Sequence, residues 1–327
     1  NMKRIRNNSL LASAMLTFAF TSCNNNEIET IPYEGPVPVQ VTAGIDGTIT
    51  RASETSWEHG DAIGISCSGT NTNYTNMKYV TAIGNGTFTH YNGNDQEDFT
   101  TGIFFQGTEN VTFSAYYPFT GTEGSKPGTE GKISGFTSAQ STNQNKIDYL
   151  YADGLTATYA RPNISFNDGV TKFKHKMARL KLVLKTSADA GFSVDEVKSG
   201  TYVLRGLKHE GTFDTTTGTA EAASTATTVD GWSVSNNCPY TDTNNQRTYT
   251  MILYPQTVSG PLPFTATINS QNYRNTTNIR FDNNKLLPGT SYTFTITIKK
   301  TGLAVSGCTI DGWSNSAGGN GNAEMGN

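Results

Sequence analysis

Between residues 37 and 46 apolar and polar positions alternate without a break. Val37, Val39, Val41, Ala43 and Ile45 fall on one side, and Pro38, Gln40, Thr42, Gly44 and Asp46 on the other. A period of two predicts a strand with one face against a core. The same pattern returns near the far end in "SYTFTITIKK", where Tyr292, Phe294, Ile296 and Ile298 oppose Thr293, Thr295 and Thr297. Between them lie short β-rich runs such as "AIGIS", "MKYVTAI", "VTFSAYYPF", "IDYLYA", "YTMILYP" and "LPFTATI", parted by Gly, Asn and Asp clusters. Such spacing predicts sandwiches or barrels, and no long segment shows a helical period.

One run changes phase. In "KFKHKMARLKLVLKT" the apolar set sits on odd numbers at Phe173 and Met177, then on even numbers at Ala178, Leu180, Leu182 and Leu184. The shift predicts a bulge or bend near Met177, with a domain boundary just before the run. Its basic residues, Lys172, Lys174, Lys176, Arg179 and Lys181, are expected on a solvated face where edge lysines discourage sheet-to-sheet association, rather than in an anion site.

Length and composition sharpen this picture. A chain of 327 residues suits two domains of ordinary size. Only 16% of residues are charged, while Thr, Asn, Ser and Gly abound, as in an all-β protein. A net charge of -3 offers no basic face for phosphates, so nucleic acid is not an expected partner.

At the N-terminal end, Lys3, Arg4 and Arg6 precede an apolar run over residues 10–20 and then "TSC" at residues 21–23. The run is too short for a resident membrane span and has the flanks of an export signal. A small residue before a cysteine, directly after the apolar run, resembles the lipobox of bacterial lipoproteins, which makes Cys23 the acylated residue; a plain secretory signal is the alternative. The following "NNNEIETIPYEGPVP" is polar and non-periodic, as a tether would be. The organisation expected is thus a signal over 1–23, a tether over 24–36, a β-sandwich over 37–172, a second over 173–313 and a polar tail over 314–327.

Candidate chemistry is sparse. There is no HExxH, GxSxG, P-loop or GxGxxG stretch, and His59, His90, His175 and His209 are scattered. No enzymatic activity, cofactor or metal is therefore expected. The acidic cluster "NDQED" at residues 94–98 misses the calcium-loop spacing and suits an exposed loop. Trp57, Trp232 and Trp313 suit core anchors, with a sugar-stacking platform as the other reading. Beyond Cys23, the cysteines Cys67, Cys238 and Cys308 could form one disulfide and a free thiol, or remain three thiols.

Five stretches taken together say more. "TRASETSWEHGDAIGIS" (50–66), "VTFSAYYPF" (111–119), "IDYLYA" (147–152), "FKHKMARLKLVL" (173–184) and "LLPGTSYTFTITI" through "LAVSGCTIDGW" (286–313) resemble, in that order, the Mfa-like fimbrillins of Bacteroidales. The resemblance implies two tandem transthyretin-like β-sandwich domains in a lipoprotein of the outer membrane, partnered by other fimbrial subunits at the cell surface. It also implies an arginine-specific protease that cuts after the first strand, here between Arg51 and Ala52, so that a neighbour's strand fills the vacated groove. Residues 37–45 have the alternation such a filler strand needs. The tail "SNSAGGNGNAEMGN" lacks it, which restricts any donor strand to residues 303–313 and slightly favours a tip or accessory subunit over a stalk subunit. A surface lipoprotein that binds a host or glycan receptor through exposed aromatics is the alternative function, and a surface glycosidase ranks third.

Overall fold

A strand that alternates buried and half-buried residues needs pairing partners on both sides, and Ala178–Lys185 has them. It runs antiparallel to Gln246–Leu253 and parallel to Thr290–Lys299. These belong to a six-stranded sheet ordered Tyr240–Asp242, Gln246–Leu253, Ala178–Lys185, Thr290–Lys299, Gly302–Gly312, Gly321–Asn322. The coordinates are a computed structural model that describes residues 31–47, 56–275, 279–313 and 321–322. Cys23, Arg51, Ala52, the signal and tether up to residue 30, and all of the tail except Gly321–Asn322 lie outside the described residues. By its contacts the chain from Tyr33 onward forms one unit.

Among the described residues the protein is all-β apart from three short α-helices and one 3-10 turn. Facing the six-stranded sheet is a four-stranded one ordered Trp232–Ser233, Thr201–Leu204, Phe264–Ile268, Gln271–Asn275. A cluster including Leu180, Leu182, Tyr202, Phe264, Phe294 and Ile296 fills the space between them. The N-terminal part is an eight-stranded sheet ordered Asn163–Phe166, Gln40–Ala43, Thr87–His90, Asn73–Val80, Ala62–Ser68, Val111–Tyr117, Leu150–Ala157, Lys174–His175. Its own cluster contains Val41, Ile63, Phe105, Phe113, Ile164, Phe166 and Phe173. A third cluster draws on both parts, with Tyr149 stacked on Phe213 at 4.6 Å between ring centroids. Beside it Lys132–Phe136 pairs antiparallel with Glu210–Asp214, so backbone as well as side chains connects the two cores.

Two sequence expectations change here, and one short helix is added. The phase change at Met177 is not a bulge within one strand. Phe173 packs in the N-terminal cluster, Lys174–His175 pairs with Leu150–Tyr151, Met177 enters the third cluster, and the C-terminal sheet starts at Ala178. The chain passes from one sheet to another, so the inward side changes by one residue. Arg179 and Lys181 do not protect an edge, because Ala178–Lys185 lies in the interior of its sheet. Burial, helped by the neighbouring Arg179 charge, lowers the Lys181 ammonium to about 8. Finally, Val194–Ser199 is a helix, opened by a capping box between Ser193 and Glu196. Six residues are too few to show a period, although the S-x-x-E signal stands in the sequence.

The three described cysteines are all free. Cys67 and Cys238 are buried and Cys308 partly so. Cys67 and Cys238 belong to different cores, so the disulfide alternative does not apply to them.

Candidate functional site: the groove of the first strand

The alternating N-terminal segment is built into the N-terminal core. Val39, Val41 and Ala43 are buried, Val37 and Ile45 half-buried, and Pro38 and Gln40 exposed. Gln40–Ala43 pairs in parallel with all four residues of Asn163–Phe166. On its other side it meets Thr87–His90 only at Val41↔Phe88 and Thr42↔Thr87. Ahead of it Val37–Pro38 pairs with Phe104–Phe105, and behind it Ile45 bridges to Phe173.

The backbone is held along its whole length. The N–H groups of Val39, Gln40, Ala43, Gly44 and Asp46 donate to the carbonyls of Ile103, Pro162, Gly86, Phe166 and Phe173 at 2.8–3.2 Å. A side chain adds a further bond: the Trp57 indole N–H donates to the Ala43 carbonyl at 2.7 Å. The Trp57 ring meets Phe88, Phe173 and Tyr117 edge-on at 5.1, 5.2 and 5.5 Å. Trp57 thus closes the groove where Ala43 lies.

Sequence reasoning found the alternating face of this strand and missed its lining. Phe166, fully buried, and Gly86 come from distant stretches. Their only local sign is an unremarkable "NISF" and a glycine pair. Trp57 was visible as a core candidate, but its bond to Ala43 joins two ends of the Arg51-bearing segment and needs the fold to appear.

The other candidates resolve into structure. Trp57, Trp232 and Trp313 are 7%, 4% and 4% exposed, so none presents a ring face to a sugar. Among the described residues the exposed large aromatics are Tyr33, Phe99, Phe136 and Tyr240, each on a different segment. In the acidic stretch at residues 94–98, Asp95 pairs with Lys78 at 2.6 Å and Asp98 accepts bonds from Thr100 and Thr101. Those bonds, from Thr100 first, hold the Asp98 carboxyl well below the usual range. Among the described residues no group of three His, Cys, Asp or Glu side chains is placed to hold a metal ion.

The described histidines keep separate company. His90 bonds Glu123 at 2.8 Å, and His209 bonds Thr137 at 3.1 Å. His175 bonds Asp148 at 2.9 Å and stacks on Trp313 at 4.0 Å. The last pair borders a cavity of about 360 Å³ also lined by Trp57, Asp61 and Tyr117.

Fold and groove together define an all-β protein whose first strand is inserted between two others and bonded along its length. Residues 50–313 match the fimbrillin-like family, and the chain belongs to that family. Over 99% of both chains it is 28% identical to a Bacteroides uniformis protein named "Putative fimbrium subunit Fim1C". Among solved structures it is similar to a "putative cell adhesion protein" from Bacteroides ovatus, with a TM-score of 0.69 and 25% identity, over 86% of this chain and 99% of that one. A second structure under the same description, from Bacteroides uniformis, has a TM-score of 0.63 over 84% of this chain and 99% of that one. At 23% identity it shows the shared fold.

Proposed function

We propose that this protein is a structural and adhesive subunit of a cell-surface fimbria, and that residues 37–45 are a temporary filler. In this reading Cys23 carries the lipid that tethers the chain to the outer membrane. An arginine-specific protease cuts between Arg51 and Ala52, and a strand from another subunit takes the vacated groove. The chain is divided into two transthyretin-like sandwiches that change over between Phe173 and Ala178, and its role is mechanical rather than catalytic.

The observation that carries the reading is the position of the first strand. It lies between two strands of the N-terminal sheet and buries Val39, Val41 and Ala43, yet its covalent link to the body runs only through residues 46–56, where Arg51 lies. Losing it would uncover Phe88, Ile164 and Phe166 and leave the carbonyls of Gly86, Ile103, Pro162 and Phe166 without their partners. Burial of the two valines alone stabilises the assembly by roughly 3–6 kcal/mol, so an emptied groove is driven to refill. Nothing comparable supports a glycan platform, since the three tryptophans are buried.

The N-terminal residue of protein recovered from the cell surface tests this. A lipid-modified Cys23 is expected on tethered subunits and Ala52 on assembled ones; a surface population starting elsewhere would refute the scheme. The position within the fimbria is a tip or accessory one in this reading, because the segment after Trp313 lacks alternating apolar residues. Immunogold labelling along isolated fimbriae would contradict that if the label ran the length of the shaft.

A further inference from the structure

Alternation selects which face of a strand turns inward, but it does not select register. A filler moved by two residues still points its apolar side inward. For residues 37–45 such a slip keeps a valine or isoleucine in nearly every inward place. Something else in the groove must distinguish the correct register, and the Ala43 position has the required geometry.

Ala43 is buried, and both of its backbone polar groups are bonded. It is 3% exposed and sits opposite Phe166 in the parallel ladder. Its N–H donates to the Gly86 carbonyl at 2.8 Å, and its own carbonyl accepts from Trp57 at 2.7 Å. Gly86 has a φ of +80°, and a Cβ there would stand 2.6 Å from the Ala43 carbonyl oxygen. Only glycine at residue 86 lets the filler backbone come this close. Trp57, braced edge-on by Phe88, Phe173 and Tyr117, shuts the remaining side.

Resting on the strand-exchange reading above, we infer that the groove selects an incoming strand by size at the Ala43 position. The partner is a strand of another subunit running parallel to Asn163–Phe166. It carries bulky apolar residues where Val39 and Val41 lie and alanine or glycine two residues later. Moving such a strand by two residues in one direction brings the Val41 side chain to the small slot; moving it in the other brings the Ile45 side chain there. Both bring a larger side chain to a position that is buried and paired with Phe166, so one small residue fixes the register that alternation leaves open. Gln40, exposed on the opposite face, carries no such information.

The test uses the chain beginning after Cys23, treated with a low dose of trypsin, and fluorescein-labelled peptides of residues 37–45. The peptide contains no Lys or Arg, so the protease leaves it whole. The parent peptide and its Ala43→Gly form are expected to bind, and Gln40→Ala to stay within about threefold of the parent. Ala43→Leu is expected to bind roughly 10- to 100-fold more weakly, as overpacking of a tight core site implies. If the parent binds and Ala43→Leu binds equally well, the size rule is wrong while strand exchange stands. If no peptide binds, including the parent, the exchange reading fails and the size rule fails with it.

Discussion

The indole N–H of Trp57 donates to the carbonyl oxygen of Ala43 at 2.7 Å, across the segment that contains Arg51. Trp57 therefore holds the last buried residue of the first strand. Trp57→Phe keeps the ring contacts and removes the donor, so the Ala43 carbonyl stays buried without that partner. The uncut chain is expected to lose about 1–2 kcal/mol in denaturant unfolding. Val41→Ala, which opens a cavity against Phe88 and Ile164, should cost about 2 kcal/mol, and Gln40→Ala within about 0.5 kcal/mol.

Gly211 sits in the strand Glu210–Asp214, which pairs with Lys132–Phe136 of the N-terminal part. A Cβ there would stand 2.5 Å from both the Glu221 carbonyl oxygen and the Tyr254 ring. Gly211→Val must push strand or ring aside, at a cost of about 2–3 kcal/mol. The third cluster, with Tyr254 and Phe213, should loosen first. Near-ultraviolet circular dichroism is expected to lose tyrosine signal while far-ultraviolet strand content persists.

His209 carries an acid-sensitive contribution to stability. Burial lowers its imidazole from 6.5 to about 4, although the Thr137 backbone opposes the shift. The folded chain therefore refuses a proton that the unfolded chain accepts between those values. Stability from this group is complete above pH 6.5 and falls as pH drops toward 4, by about 3 kcal/mol in all. His209→Phe should flatten the stability profile across that window; an unchanged slope would assign the acid response elsewhere.

Free thiols are expected to be silent in the native chain. Burial pushes Cys67 and Cys308 up to about 12 and Cys238 upward as well, so thiolate is scarce at neutral pH. A chain beginning after Cys23 should give almost no immediate reaction with a disulfide reagent at pH 7.5, then three equivalents in guanidinium. Reducing and non-reducing gels should show the same mobility.

The period-two runs at residues 37–45 and 290–299 could be read directly because each buries one face against a core, and that requirement is local. The Met177 phase change was also visible, but its meaning was not: a bulge and a transfer between sheets produce the same one-residue shift. The basic residues of Ala178–Lys185 show a similar limit. Their spacing suggested a solvated edge, whereas pairing with Thr290–Lys299 puts them on an interior strand. Edge or interior depends on partners dozens to more than a hundred residues away, which no local pattern encodes.

For this protein the sequence alone determined the all-β class, the inward face of the first strand and the family motifs, since these follow from periodicity and short-range residue order. Tertiary structure decided which strands flank residues 37–45, that the first of them pairs in parallel, and that Trp57, Gly86 and Phe166 meet at Ala43. The physical reason is that alternation is invariant to a two-residue slip. Register and selectivity require a shaped cavity, and that cavity exists only after distant segments have packed around it.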